Sequence, residues 1–347
     1  MSDDGVVGVP ALDLARLQAW LEREVPGFTG PLQAERIVAG NSNPIWRLDA
    51  GGRRYVLRTQ PAGVLLKSAH ALDREVRVLR ALAGHVPVPV LRAACSDAGV
   101  IGVGFYLMDG VDGEVHRNPQ LPGLVPAQRR AIFDAAIDAF VRVHALDVDA
   151  LGLRDFGRPG HYFQRQLHRW TQQYRTAMPA GDPILDALIA ALEDALPEDD
   201  EPAVLLHGDA RLDNLMWRRG SAELAAMFDW ELSTLGHPLA DLGQFLAVQA
   251  LPADYGLPGL AGIDRAALGI PTASEQAARY FARSGRRPRD LRPYLGFAMF
   301  RQAAMSAGLK RRADEGTAVN ETARYFGDTM DVFARTGLEL LHGGPCP

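Results

Sequence analysis

The chain has 347 residues, of which 47% are hydrophobic and 23% charged, with 37 Lys plus Arg against 42 Asp plus Glu. That length and balance support two lobes around sizeable cores and exclude a disordered chain. A net charge of -5 carries no basic excess of the kind that binds nucleic acid or an anionic membrane.

Two cysteines, Cys95 and Cys346, cannot build a disulfide framework, which fits a reducing cytoplasm. The acidic start Met1-Ser-Asp-Asp-Gly5 is followed by no apolar run of signal-peptide type, and no stretch is long enough to span a bilayer. A cytoplasmic protein without membrane partners is therefore expected.

In chain order, Leu14, Leu17 and Leu21 recur at helical spacing before Pro26-Gly27, so residues 11–25 read as an amphipathic packing helix. Residues 35–59 alternate like a hairpin, with Gly51-Gly52 as its turn. Within it, ahead of the strand from Ile45, Gly40-Asn41-Ser42-Asn43 offers backbone N–H groups and a hydroxyl that suit nucleotide phosphates, a plain turn being the competing account. Residues 68–83 read as a helix with Leu72, Val76, Leu79 and Ala83 along its apolar stripe. Glu75 falls on the inward edge of that stripe, where an acid needs a cation, and Arg58 on the preceding strand is the natural partner.

Val103 to Met108 reads as a strand, and Asp109-Gly110-Val111-Asp112-Gly113 after it as a flexible connector, the candidate hinge between lobes. Pro126 opens a helix with Phe133, Ile137, Phe140, Val141 and His144 on one face, the histidine expected as a hydrogen-bonded core residue. Residues 155–175 carry Phe163, Leu167, Trp170 and Tyr174 inward, with Arg165 and Arg169 opposite and Arg158 and His161 at the start. A solvated charged face is the simpler account of those basic groups. Residues 241–335 read as helical.

The chain is organised around residues 203–243. Two short apolar runs, Val204 to Leu206 and Leu224 to Phe228, have the length of buried strands, and each delivers a carboxylate just past its end: Asp209 and Asp229. With Asn214 they supply oxygen ligands suited to magnesium, which takes its other ligands from water and substrate phosphates. A further carboxylate able to orient a hydroxyl completes what phosphoryl transfer asks of a protein, positioning and charge neutralisation. His207 reads equally as a functional or a structural strand-end residue, Asp213 as a loop stabiliser, and Asp241 as a brace on the loop or a cap on its own helix.

At these residues the sequence resembles the aminoglycoside phosphotransferase and choline kinase group of small-molecule kinases, distant relatives of the protein kinases. His207-Gly208-Asp209 with Asn214 matches that group's H-G-D-x-x-x-x-N loop, and Asp229-Trp230 stands where protein kinases carry Asp-Phe-Gly. The resemblance implies an α+β, two-lobed protein-kinase-like fold. A small N-terminal antiparallel-sheet lobe over 1–109 would bind nucleotide, and a larger, mostly helical lobe over 110–347 would carry catalysis and substrate binding. It further implies ATP and Mg2+ as cofactors, Asp209 as catalytic base, Asn214 and Asp229 as metal ligands, and His207 and Asp241 as loop supports. Asn41, Ser42 and Asn43 match the group's G-x-S-N loop, and adenine would meet backbone at Met108, Asp109 and Gly110. Arg58 occupies the place of the protein-kinase Lys, set by Glu75; this is a departure, because a planar fork demands different geometry from a point charge.

Pro122-Gly123, Leu66-Lys67-Ser68-Ala69-His70 and the run from Trp230 to Asp241 are similar to the kinase-like domain fused to some acyl-CoA dehydrogenases. That similarity implies a small-molecule hydroxyl substrate, a hydroxy acid or hydroxyacyl-CoA, with Arg158, His161, Arg165 and Glu231 as substrate contacts. Seven Arg against five acids between residues 241 and 300 argue against a polycationic antibiotic. Aminoglycoside O-phosphorylation, a nucleotide-binding pseudokinase and a magnesium-dependent phosphohydrolase are the rival expectations.

Overall fold

The computed structural model describes residues 12–37, 43–61, 67–158, 160–198, 201–315 and 329–344. The chain separates into two compact units that divide between Asp112 and Gly113. The expected boundary at 109/110 lies three residues earlier. Arg54 draws the intervening residues to the first unit: its carbonyl accepts from the Gly110 N–H at 2.9 Å and its guanidinium meets Asp112 at 2.9 Å.

The first unit begins with helix α1 (Leu14–Glu24), started by Asp13, whose carboxylate accepts from the Arg16 N–H at 3.0 Å. Strands β1 (Gln33–Ile37), β2 (Ile45–Ala50), β3 (Arg53–Thr59), β4 (Leu91–Cys95) and β5 (Phe105–Asp109) form an antiparallel sheet in the order β1-β2-β3-β5-β4. The β2–β3 turn is Gly51-Gly52, both at positive φ, as a two-residue hairpin loop of this twist requires. Helix α2 (Lys67–Leu82) and the single turn α3 (Ala98–Ile101) complete the unit. Leu17 and Leu21 pack with Leu48, Leu57, Phe105 and Leu107, all fully buried, each contributing roughly 1.5–3 kcal/mol.

The second unit holds β6 (Glu114–Val115), α4 (Pro126–His144), α5 (Tyr162–Ala177), α6 (Pro183–Ala195), β7 (Val204–Leu206), β8 (Leu215–Trp217), β9 (Leu224–Met227) and β10 (Thr234–Gly236). These are followed by α7 (Leu239–Ala247), α8 (Arg265–Leu268), α9 (Ala273–Ser284), α10 (Arg292–Asp314) and α11 (Met330–Leu341). Two small antiparallel sheets, β10-β7 and β6-β8-β9, present the polar segment to the rest of the unit. Helix α7 is buried on nearly every side, and Asp241 in its first turn meets its hydrogen-bond partners inside the protein. On α4 the buried stripe runs through Phe133, Ala136, Ile137, Phe140, Val143 and His144, and the expected Val141 is half-buried because it falls beside that helical spacing. No helix among the described residues is long and apolar enough to cross a membrane.

Candidate active site

The segment after β7 is held by a carboxylate from another element. Asp241, 1% exposed in the first turn of α7, accepts from the backbone N–H of His207 at 2.6 Å and of Gly208 at 2.9 Å. The first N–H of its helix, that of Leu239, donates to His237 Nδ1 at 3.2 Å, and both Asp241 oxygens reach the loop backbone. A third donor is His144 Nε2 at 3.2 Å, whose Nδ1 lies 2.8 Å from the Tyr280 hydroxyl of α9. Burial works against the Asp241 charge, yet His144, His207 and the Gly208 N–H outweigh it and hold the carboxyl below its usual range. His144 is thus the satisfied core histidine that its apolar face suggested.

His207 is fully buried and joins two segments. Its Nε2 donates to the Phe228 carbonyl at 3.0 Å, which assigns the proton to Nε2, and its ring lies 4.6 Å from that of Trp230. Gly208 sits at φ +83, and a Cβ there would meet the Leu232 carbonyl oxygen at 2.1 Å, so the turn excludes any side chain. Arg301 of α10 donates to the Gly208 carbonyl.

Asp209 and Asn214 are directly bonded: Asn214 Nδ2 donates to Asp209 Oδ2 at 3.0 Å and to the Asp209 carbonyl at 2.9 Å. The Phe228 N–H donates to the Asn214 carbonyl at 3.2 Å, tying the residue before Asp229 to the same turn. Asp229 itself follows β9 at φ +66. Arg211 pairs with Asp213 at 2.9 Å; burial opposes its charge, but Asp213, Asp209 and Asp229 together hold it charged beyond the usual arginine range. One guanidinium therefore feels all three carboxylates.

The donor set fits magnesium. With Nδ2 committed to Asp209, Asn214 presents its amide oxygen, and Asp229 adds a half-buried carboxylate. Among the described residues no group of three or more His, Cys, Asp or Glu could hold a metal by itself. A two-ligand protein site leaves room for water and phosphate, which is the magnesium habit.

In the first unit, Arg58 Nη1 meets Glu75 Oε1 at 2.9 Å with both residues buried. Tyr106 faces Arg58 across β3 and β5, and burial together with Glu75 pushes its hydroxyl well above the usual range. Met108 pairs with Val56 in the sheet. The Asp109 N–H donates to the Val90 carbonyl at 2.9 Å and the Gly110 N–H to the Arg54 carbonyl at 2.9 Å. The Asp109 carboxylate is occupied by Arg92 at 2.6 Å. Asn41 and Ser42 lie outside the described residues, and Asn43 opens the segment into β2.

Of the expected substrate contacts, Arg165 donates to the Arg158 carbonyl at 2.5 Å, His161 is an exposed residue at φ +49 before α5, and Glu231 is half-buried in the turn after Asp229. Sequence reasoning did not single out Arg301, Arg211 or Tyr106, and Tyr280 read from sequence only as an apolar point of the C-terminal helices. For Arg301 a signal existed: it follows the apolar run Leu295 to Phe300 in a helix buried on every side from Tyr294 to Ala304, where a cation needs a reason.

The phosphotransferase enzyme family matches residues 33–294. Acyl-CoA dehydrogenase family member 10 of Mus musculus is 40% identical over 309 residues, covering 88% of this chain and 29% of that protein. Family member 11 of Homo sapiens is 34% identical over 339 residues, covering 94% of this chain and 43% of that protein. The chain thus spans less than half the length of these curated relatives. A crystal structure from Ralstonia eutropha, described as a candidate aminoglycoside phosphotransferase, superposes with TM-score 0.85 at 39% identity, covering 96% of this chain and all of that one. Aminoglycoside phosphotransferase APH(4)-Ia, in complex with ADP and hygromycin B, gives TM-score 0.57 at 15% identity over 92% of this chain and 98% of that one, which shows a shared kinase-like fold.

Proposed function

Since the chain belongs to the phosphotransferase enzyme family, we propose that it transfers the γ-phosphoryl group of ATP, with magnesium, to a hydroxyl of a small molecule. The observation that carries this reading is the joined constellation of Asp209, Asn214 and Asp229, in which one amide links the base to a ligand oxygen and Arg211 feels both carboxylates. Asp209 orients the acceptor hydroxyl and takes its proton as the oxygen bonds to the γ-phosphorus; the bond from phosphorus to the bridging oxygen breaks, and ADP leaves with that oxygen. Asn214 and Asp229 hold magnesium, which when bound neutralises charge on the phosphate oxygens. His207 and Asp241 keep the loop backbone fixed, so that the base needs no reorganisation during the reaction.

Residues of the N-terminal lobe take the nucleotide in this reading: Arg58, directed by Glu75, on phosphate, Asn41, Ser42 and Asn43 over the phosphate tail, and backbone of Met108, Asp109 and Gly110 at the base. The acceptor is a hydroxy acid or its CoA ester. Support comes from relatives named as acyl-CoA dehydrogenase family members and from the basic residues Arg158, His161 and Arg165. The similarity to a candidate aminoglycoside phosphotransferase favours an antibiotic acceptor as the second reading. A thermal-shift panel of nucleotides with magnesium, followed by a phosphorylation screen over hydroxy acids, their CoA esters and aminoglycosides, tests both. Stabilisation by magnesium-ATP with product on the hydroxy-acid arm is expected; ATP consumption with no phosphorylated product would instead point to a phosphohydrolase.

A further inference from the structure

We propose that Arg301 is a positioning residue for the base-bearing loop, acting through the Gly208 carbonyl; the inference rests on the reading of Asp209 as the catalytic base. Gly208 is gripped from two sides by opposite charges. Its N–H donates to Asp241 on α7 at 2.9 Å, and its carbonyl accepts from the Arg301 guanidinium on α10. These are consecutive peptide units, so both torsions of the left-handed glycine are fixed before the chain reaches Asp209.

The carbonyl that Arg301 holds belongs to the same peptide unit as the Asp209 N–H, which points at His207 Nδ1 at 3.3 Å. A cation on that carbonyl polarises the unit and strengthens the weak contact to His207. Arg301 is only 8% exposed and lies over the Trp170 ring at 5.8 Å, a planar seat that suits a guanidinium better than an ammonium. The Tyr162 phenol also feels Arg301 from the α5 side. A buried cation whose one hydrogen-bonded partner in the loop is the peptide carbonyl next to the base has a role in geometry beyond packing.

The test pairs a readout of the loop with a readout of turnover. In Arg301→Ala, amide hydrogen exchange should rise over residues 207–210 while α4 and α11 keep parental protection, and kcat should fall about 10- to 100-fold with an unchanged KM for magnesium-ATP. Millimolar methylguanidinium should restore part of that kcat. Arg301→Lys keeps a charge without the fork and should fall less, by about 3- to 10-fold. A parental kcat in Arg301→Ala, or a loss spread over the whole unit in exchange and unmoved by methylguanidinium, would overturn the proposal. Should the alanine variant not fold, a parental kcat in Arg301→Lys decides against it and a reduced kcat at parental KM decides for it. If the parent chain shows no magnesium-ATP turnover that Asp209→Asn abolishes, the reading of the base fails instead, and loop exchange in the Arg301 variants still reports the clamp.

Discussion

Two regions of this molecule bury charge, and they do so to different ends. In the first unit Arg58 faces Glu75, one full charge against another, with the Tyr106 hydroxyl beside them. In the second, Asp241 faces two backbone N–H groups and a histidine. A buried ion pair contributes little net stability, since desolvation cancels most of the attraction, but it fixes the direction of a cation. A buried carboxylate on backbone donors fixes the chain itself. The first arrangement aims a side chain and the second shapes a loop.

Turnover should show the widest separation between the two. Asp209→Asn, on the braced loop, is expected to lower kcat by about 10²- to 10⁴-fold with nucleotide affinity retained, as read by coupled ADP release and magnesium-ATP titration. Equal kcat in variant and parent would remove Asp209 from the mechanism. Next comes stability at the ion pair. Glu75→Ala leaves the Arg58 charge buried without its carboxylate and should cost about 3–5 kcal/mol in urea unfolding, whereas Glu75→Leu combined with Arg58→Met should recover most of it. Failure of the double variant to recover would mean that the pair contributes attraction well beyond its desolvation. Gly208→Ala should cost about 1–3 kcal/mol, because it adds a side chain at positive φ against the Leu232 carbonyl. A neutral result would show that the braced turn yields more easily than its two grips suggest.

The smallest effect is invisible at neutral pH. Burial pushes the Tyr162 hydroxyl up to about 12, partly eased by Arg301 and reinforced by Asp241. A folded pKa above the unfolded value of about 10 means that the stability linked to this group is whole below pH 10 and is lost as pH rises towards 12. The melting temperature of Tyr162→Phe should therefore fall less steeply than the parent's above pH 10. An identical alkaline slope would show that Tyr162 does not carry that loss.

Much of this was legible because short motifs keep their neighbours close. Asp209 and Asn214 are five residues apart and end in direct contact, and the hairpin turn at Gly51-Gly52 declares its own geometry. The meeting of Glu75 with Arg58 was readable because an acid on an apolar stripe must be answered. The long-range grips were not legible. Arg301 reaches a carbonyl 93 positions away and His144 a carboxylate 97 positions away, and no local periodicity encodes which backbone group waits there. Strand β8 was also missed, since Leu215–Trp217 is too short for alternation to register and owes its form to β6 and β9.

The left-handed backbone at Asp229 complicates how that position can be probed. At φ +66 and ψ +59 the residue occupies a region that aspartate and asparagine tolerate through their short polar side chains and that alanine resists. Truncation there would strip a carboxylate and at the same time press the main chain to unwind, so two causes would hide inside a single loss. Asparagine, which accepts the same twist, separates ligand chemistry from conformational preference, and the gap between the Asn and Ala variants measures how much of the site is held in the main chain.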